Sequence, residues 1–231
     1  MLRKDPFVTG EYYHLYNRGI DKRTIFKSEN DYKRFIMLLY ISNSNNKKSI
    51  RLDNLINHSH KKFEEIMTLD KGKLLVSIGA WCLMTNHFHI LVKQEEDGGI
   101  TKFMKKLGTA YSMYFNIKYQ RQGALFGGLF KSKNISEDDY LKHLFGYIHL
   151  NPLDIKFSGW EDLVDKQSPK IWKDFLKEYV YSSYQDYIDI KRAEGSILNS
   201  SVFPEYFIKS KSFDAFVDSY LSFDSRGLKD L

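Results

Sequence analysis

The chain has 231 residues, of which 42% are apolar and 16% aromatic, so it can fill a sizeable hydrophobic core and disorder is not expected. Lysine and arginine exceed aspartate and glutamate by 35 to 29, which permits a polyanionic partner without requiring one. No stretch approaches the roughly 20 apolar residues of a membrane span, and the start lacks the apolar segment of a secretion signal. We therefore expect no membrane partner and a cytoplasmic location. The single cysteine, Cys82, excludes an internal disulfide and fits that compartment.

Hydrophobic periodicity and turn residues predict an alternation of strands and helices. An aromatic-rich strand is followed by a helix, two strands, a long amphipathic helix, another strand and a further helix. In chain order, the predicted strands are residues 11–17, 74–84, 87–93 and 124–135, and the predicted helices are residues 30–41, 100–119, 136–151 and 213–221. Residues 42–72 are polar and rich in asparagine and lysine, which favours a helical insertion rather than a separate domain.

A histidine pair, His87-Phe88-His89, begins the third predicted strand. Because side chains alternate along a strand, both imidazoles lie on one face while Phe88 turns into the core. Two neutral imidazoles about 7 Å apart at the backbone can converge on one divalent metal ion. A second pair, His58 and His60, lies in a segment with helical spacing, where residues two apart point away from each other. We interpret that second pair as surface residues.

Four sequence blocks in a fixed order carry a resemblance to a known family. They are YHLYNRG at residues 13–19, MTNHFH at 84–89, LFGGLFKS at 125–132 and YIHLNP at 147–152. With these blocks the chain resembles the single-tyrosine HUH transposases, which share the IS200-like transposase fold, and most closely the REP-associated tyrosine transposases.

The resemblance implies an α+β fold, with a ferredoxin-like or RRM-like antiparallel sheet and helices packed on one face. The catalytic domain is predicted to span residues 1–190 with the insertion at 42–72, and residues 191–231 form a C-terminal extension. By the same resemblance, the protein is an enzyme that cleaves and rejoins single-stranded DNA and recognises imperfect palindromes folded as hairpins. We expect it to act as a monomer or a homodimer.

The resemblance assigns the nucleophile to Tyr147 and the metal ligands to His87, His89 and Asn151. Tyr147 and Asn151 are four residues apart and share one helical face, from which Asn151 could bring a carbonyl oxygen to the metal ion. Two nitrogens and one oxygen, with positions left for phosphate and water, suit Mg²⁺ or Mn²⁺. Many relatives have glutamine at the third ligand position, and Asn151, which precedes Pro152, could instead cap the helix end.

In the predicted reaction, the phenol of Tyr147 attacks a phosphorus of single-stranded DNA, displaces a 3′-hydroxyl and keeps the 5′-phosphate. A later attack by a hydroxyl reverses the step and joins strands. A phenol has an ordinary pKa of about 10, so it needs a nearby cation or a base at neutral pH. Tyr111 and Tyr114 are the rival nucleophiles, but their positions on the long helix favour packing. His14 could face the same site or bond to the backbone.

Basic side chains and exposed tyrosines are the predicted contacts to DNA, the first to phosphates and the second to unpaired bases. The candidates are Arg18, Lys105, Lys106, Lys131 and Lys133 for phosphates, and Tyr13 and Tyr184 for stacking. Three other classes compete: a non-catalytic nucleic-acid-binding module of the same fold, an HUH replication-initiator or relaxase nickase, and a metal-dependent hydrolase of small molecules. The YIHLNP block contains a single tyrosine, Tyr147, and comes after the histidines, which favours the transposase.

Overall fold

A four-stranded antiparallel sheet forms the centre of the protein. The computed structural model describes residues 6–45, 52–160, 168–204 and 210–222. The strands are β1 (Tyr12–Arg18), β2 (Val76–Leu83), β3 (His87–Gln94) and β4 (Lys131–Ile135), in the spatial order β2-β3-β1-β4. Helices connect β1 to β2 and β3 to β4, which with this order is the ferredoxin-like arrangement. The predicted α+β class and its sheet are therefore confirmed.

Helices occupy the connections and the region after β4. The described α-helices are α1 (Glu29–Ser42), α2 (Phe63–Ile66), α3 (Gly99–Lys118), α4 (Asp138–Leu150), α5 (Leu153–Lys156), α6 (Pro169–Glu178), α7 (Tyr184–Tyr187) and α8 (Ser210–Ser222). Shorter helical turns lie at Ile20–Lys22, Asn54–His58, Ala193–Ile197 and Ser200–Val202. In the described part of the chain, no helix is both long enough and apolar enough to span a bilayer.

Helices cover both faces of the sheet. On one face, α1 and α3 pack against Phe88 and Ile90 of β3. On the other face, α4, α6, α7 and α8 pack in a second core with Leu91 of β3 and with Ala80 and Cys82 of β2. The prediction of helices on one face thus holds for α1 and α3 and is corrected for the helices after β4. The physical reason is that β2 and β3 carry apolar side chains on both faces, so both faces must be covered.

The strand predicted at residues 124–135 begins only at Lys131. Gly128 has a φ of +150°, which interrupts the extended backbone. The amide of Gly127 donates to the carbonyl oxygen of Arg18 at 2.9 Å. The glycine pair therefore replaces the first half of the predicted strand with a bent loop that stays hydrogen-bonded to the end of β1.

The insertion and the C-terminal extension both pack onto the sheet domain. In the insertion, Ile66 is fully buried in the core with α1. In the extension, the amide of Asn199 donates to the carbonyl oxygen of Ile78 in β2 at 2.9 Å. Tyr220 of α8 lies so close to Gly146 of α4 that a Cβ on that glycine would come within 2.6 Å of the tyrosine ring. The extension therefore builds part of the second core.

Candidate active site

The predicted metal ligands and the predicted nucleophile lie together on the second face of the sheet. Strand alternation places His87 and His89 on the face toward α4, with Phe88 in the opposite core. The two imidazole ring centroids are 5.0 Å apart. Tyr147 on α4 lies against the His89 ring, with ring centroids 5.3 Å apart and ring planes at 88°. The fold thus brings a strand and a helix that are distant in sequence to one site.

Asn151 joins this group from the end of α4. It is the residue after the last helical position, and its backbone N–H donates to the carbonyl oxygen of Tyr147 at 2.9 Å. Asn151 is buried, and its side chain lies beside His87. The four-residue spacing on α4 therefore places the amide side chain beside one predicted ligand and the phenol beside the other.

Burial keeps the imidazoles of this site neutral. Burial, assisted by the positive charge of Arg18, lowers the pKa of His87 to about 4. Burial also lowers the pKa of His89 well below its ordinary value, and the neighbouring His14 and His87 act in the same direction. A neutral imidazole offers the ring lone pair that binds a metal ion. Both histidines are therefore held in the ligand-competent form.

One buried nitrogen here, Nε2 of His89, has no hydrogen-bond partner among the described residues. The Nδ1 atom of the same ring lies 2.8 Å from Nε2 of His14. His87 is held in a similar way, with Nδ1 2.6 Å from Oδ1 of Asn86. A buried polar atom without a partner costs about 1–3 kcal/mol, and a cation bound at that nitrogen offsets this cost. The donor set therefore fits a divalent cation.

The ligand set is small. In the residues that the structure describes, no group of three or more His, Cys, Asp or Glu side chains is arranged to hold a metal ion. The candidate site instead combines two imidazoles with the amide oxygen of Asn151. Such a set leaves coordination positions for phosphate oxygens and water, as Mg²⁺ and Mn²⁺ require.

His14 contacts the site through His89. It is 1% exposed, and its ring lies 6.4 Å from the ring of Tyr147. Burial and the nearby charge of Lys133 lower the pKa of His14 to about 3. Of the two roles left open by the sequence, the structure favours a position in the site, as the residue that holds the far side of the His89 ring.

The five predicted phosphate contacts divide between the two faces of the sheet. The histidine face carries Arg18, Lys131 and Lys133, and the opposite face carries Lys105 and Lys106 on α3. In the strand register, Arg18 lies opposite His87 and Lys133 lies opposite His14. The structure therefore brings the first three residues to the site and places the other two behind the sheet.

The rival nucleophiles on α3 have structural roles. The hydroxyl of Tyr111 donates to the carbonyl oxygen of Ile25 at 2.5 Å, and that of Tyr114 donates to the buried carboxylate of Asp31 at 2.9 Å. Both tyrosines pack in the core on the far side of the sheet from the histidines. The geometry therefore favours Tyr147 over either of them.

The prediction that Tyr13 and Tyr184 are exposed and stack on bases is wrong, because Tyr13 is 5% exposed and Tyr184 is fully buried. The sequence interpretation missed Tyr16, a half-buried residue whose ring stacks on His14 with centroids 4.8 Å apart. A tyrosine in an aromatic-rich strand is typical of a core. The available signal was alternation, which places Tyr16 on the face of His14 and Tyr13 on the other.

A family model described as "Transposase IS200 like" matches residues 7–151, from just before β1 to the end of α4. This span contains the sheet, the histidine pair and the tyrosine helix. The chain therefore belongs to the IS200-like transposases, a family of DNA-binding enzymes of transposition. A search of the curated proteins gives no match.

Two solved structures show similarity to the chain. A REP-associated tyrosine transposase, solved bound to a REP hairpin, aligns with 84% of this chain and 89% of its own at 10% identity and a TM-score of 0.47. A tRNA(His) guanylyltransferase from Saccharomyces cerevisiae aligns with 89% of this chain and 86% of its own at 10% identity and a TM-score of 0.33. At these values, neither alignment identifies a function.

Proposed function

We propose that the protein is a Mg²⁺- or Mn²⁺-dependent transposase that cleaves and rejoins single-stranded DNA through a 5′-phosphotyrosine on Tyr147. One observation carries this proposal. The half-buried phenol of Tyr147 lies over His89, whose buried Nε2 has no partner among the described residues. Asn151, directly after the same helix, lies beside His87.

Each residue of the site has a distinct role in this proposal. His87, His89 and Asn151 would hold the ion, which when bound draws negative charge from a phosphate oxygen. The oxygen of Tyr147 forms a bond to phosphorus and the bond from phosphorus to the 3′-oxygen breaks. The phenolic proton leaves to water, and the departing 3′-oxygen takes a proton from water to become a hydroxyl. A later 3′-hydroxyl attacks the phosphotyrosine, which releases Tyr147 and joins the strands.

The proposed substrate is a hairpin-forming single strand, in keeping with the resemblance to the REP-associated tyrosine transposases. Arg18, Lys131 and Lys133 are exposed on the histidine face. Their charges would hold phosphates of the strand near Tyr147, and such contacts position a strand without reading its sequence. Because the phosphotyrosine conserves the bond energy, no nucleotide triphosphate is needed.

The decisive experiment looks for a covalent adduct between protein and DNA. The protein is incubated with Mn²⁺ and a hairpin-bearing single strand labelled at its 3′ end, and the products are separated under denaturing conditions. We expect labelled protein with the wild type and with Tyr114→Phe, and none with Tyr147→Phe or with a chelator. Binding measured without denaturation should survive in Tyr147→Phe.

Two results would contradict the proposal. An adduct that persists in Tyr147→Phe and disappears in Tyr114→Phe would show that the nucleophile is misassigned. Binding by the wild type with no adduct on any hairpin strand would favour a non-catalytic nucleic-acid-binding module.

A further inference from the structure

The histidine face of the sheet is covered at one end of β1 and open at the other. At Tyr12 the face is covered, because the ring packs on Phe203 with centroids 5.2 Å apart. His14, the next residue on this face, is almost fully buried. The other two residues of β1 on the same face are Tyr16, which is half-buried, and Arg18, which is exposed. The cover provided by α4 and the C-terminal extension therefore ends between His14 and Tyr16.

Tyr16 is the last aromatic residue of β1 on the histidine face, at the point where the covering helices end. It stacks on the ring of His14 at 28°, and on the ring of His89 at 22° with centroids 5.9 Å apart. No described residue is hydrogen-bonded to its hydroxyl. Stacking on the two imidazoles therefore holds the ring in place, and the hydroxyl adds no hydrogen bond within the described chain.

Positive side chains flank this ring in both directions of the sheet. Arg18 lies two residues farther along β1, and Lys131 lies directly opposite Tyr16 in β4. Both are exposed. An aromatic ring between cations is how proteins hold single-stranded nucleic acid, with a base on the ring and phosphates on the cations. The open end of the face therefore has the chemistry of a nucleotide-binding surface.

We propose that Tyr16 stacks on one base of the DNA strand whose phosphate reacts at Tyr147. This inference rests on the proposed function, because it assigns a nucleotide to the same site. The rings of Tyr16 and Tyr147 lie 5.9 and 5.3 Å from the ring of His89, so the stacked base belongs to a nucleotide adjoining the scissile phosphate. Every base has an aromatic face, so this contact adds affinity without selecting a sequence.

The test uses the fluorescent base 2-aminopurine, which is quenched when it stacks on an aromatic ring. It is placed in turn at each position around the bond that the wild type cuts. The proteins are full-length Tyr147→Phe, which prevents cleavage, and the same protein with Tyr16→Phe or Tyr16→Leu added. We expect quenching at one position beside the cut with the parent and with Tyr16→Phe, and its loss with Tyr16→Leu.

Affinity for an abasic strand separates stacking from a purely structural role. Tyr16→Leu should weaken binding of the intact strand about 10-fold and leave binding of a strand abasic at the quenched position unchanged. Equal weakening for both strands, or quenching that survives in Tyr16→Leu, would overturn the stacking inference while the adduct result stands. If Tyr16→Leu does not fold, equal affinity of the parent for intact and abasic strands overturns it instead. No binding of single strands by the parent would overturn the proposed function as well.

Discussion

The hydrogen bond between His14 and His89 determines which nitrogen of the His89 ring is left without a partner in the described chain. It occupies Nδ1 of His89 and leaves Nε2 as the ring atom without a partner in the described chain. A histidine ligand is commonly oriented through its second ring nitrogen in this way, and loss of the orienting group weakens metal binding. In the proposed function, His14 would therefore be a positioning residue that acts on the bound ion through His89.

The substitution His14→Leu should lower the affinity for Mn²⁺ about 10- to 100-fold, because the His89 ring loses the contact that fixes it. Titration calorimetry measures the affinity, and circular dichroism confirms that the protein is folded. His58→Leu, which removes an exposed histidine of the insertion, is the matched control and should leave the affinity unchanged. Equal affinity in His14→Leu and wild type would contradict the role given to His14.

For single residues, the sequence predicted those relations that depend only on the period of one element. Alternation predicted the shared face of His87 and His89, and helical spacing predicted that Tyr147 and Asn151 lie together. The sequence did not separate Tyr16 from Tyr13, since exposure depends on where the cover of the sheet face ends. That limit is set by α4 and the C-terminal extension, which lie far along the chain.

Among the elements, α4 is held to the sheet by a buried polar contact close to the nucleophile. Nε2 of His149 lies 2.8 Å from Oγ of Ser183, and the Trp81 amide of β2 donates to the same Oγ at 3.0 Å. Both His149 and Ser183 are fully buried. The helix that carries Tyr147 is therefore connected to β2 through one serine hydroxyl.

Ser183→Ala should lower the free energy of unfolding by about 1–3 kcal/mol, because it leaves buried partners of the hydroxyl unsatisfied. Hydrogen exchange of the α4 amides should become faster, and the yield of the DNA adduct should fall as Tyr147 loses its fixed position. Ser196→Ala, at an exposed serine, is the control and should change none of these quantities. Unchanged exchange in α4 would show that other contacts hold the helix.

The existence of α4 was predictable from its sequence, but the face on which it packs was not. Its apolar residues fit either face of a sheet, and β2 and β3 are apolar on both. The same uncertainty applied to the lysines, since Lys105 on α3 and Lys131 on β4 have the same chemistry. The strand register assigns Lys131 to the histidine face, and the packing of α3 assigns Lys105 to the opposite one.

For the whole molecule, loss of positive charge from the two faces of the sheet should affect the affinity for single-stranded DNA differently. Lys131→Gln with Lys133→Gln should weaken binding of single-stranded DNA and make it less dependent on salt, because about two phosphate contacts are lost. The slope of log affinity against log salt concentration should fall by about 1.4, at roughly 0.7 per contact. Fluorescence anisotropy at several salt concentrations measures both effects.

The matched control is the pair Lys105→Gln and Lys106→Gln on α3, behind the sheet. It removes the same charge, so a general electrostatic effect would appear equally in both double variants. We expect the α3 pair to retain most of the wild-type affinity and slope. A larger loss from the α3 pair would place the DNA on the other side of the sheet.

The contact between Tyr220 and Gly146 joins a residue beyond the family match to a residue inside it. The family match stops at residue 151, whereas α6, α7 and α8 cover apolar side chains of β2 and α4 from beyond that point. A polypeptide cut at the family boundary would display those side chains to water and self-associate. The segment that the family model matches is therefore shorter than the segment that builds the second core.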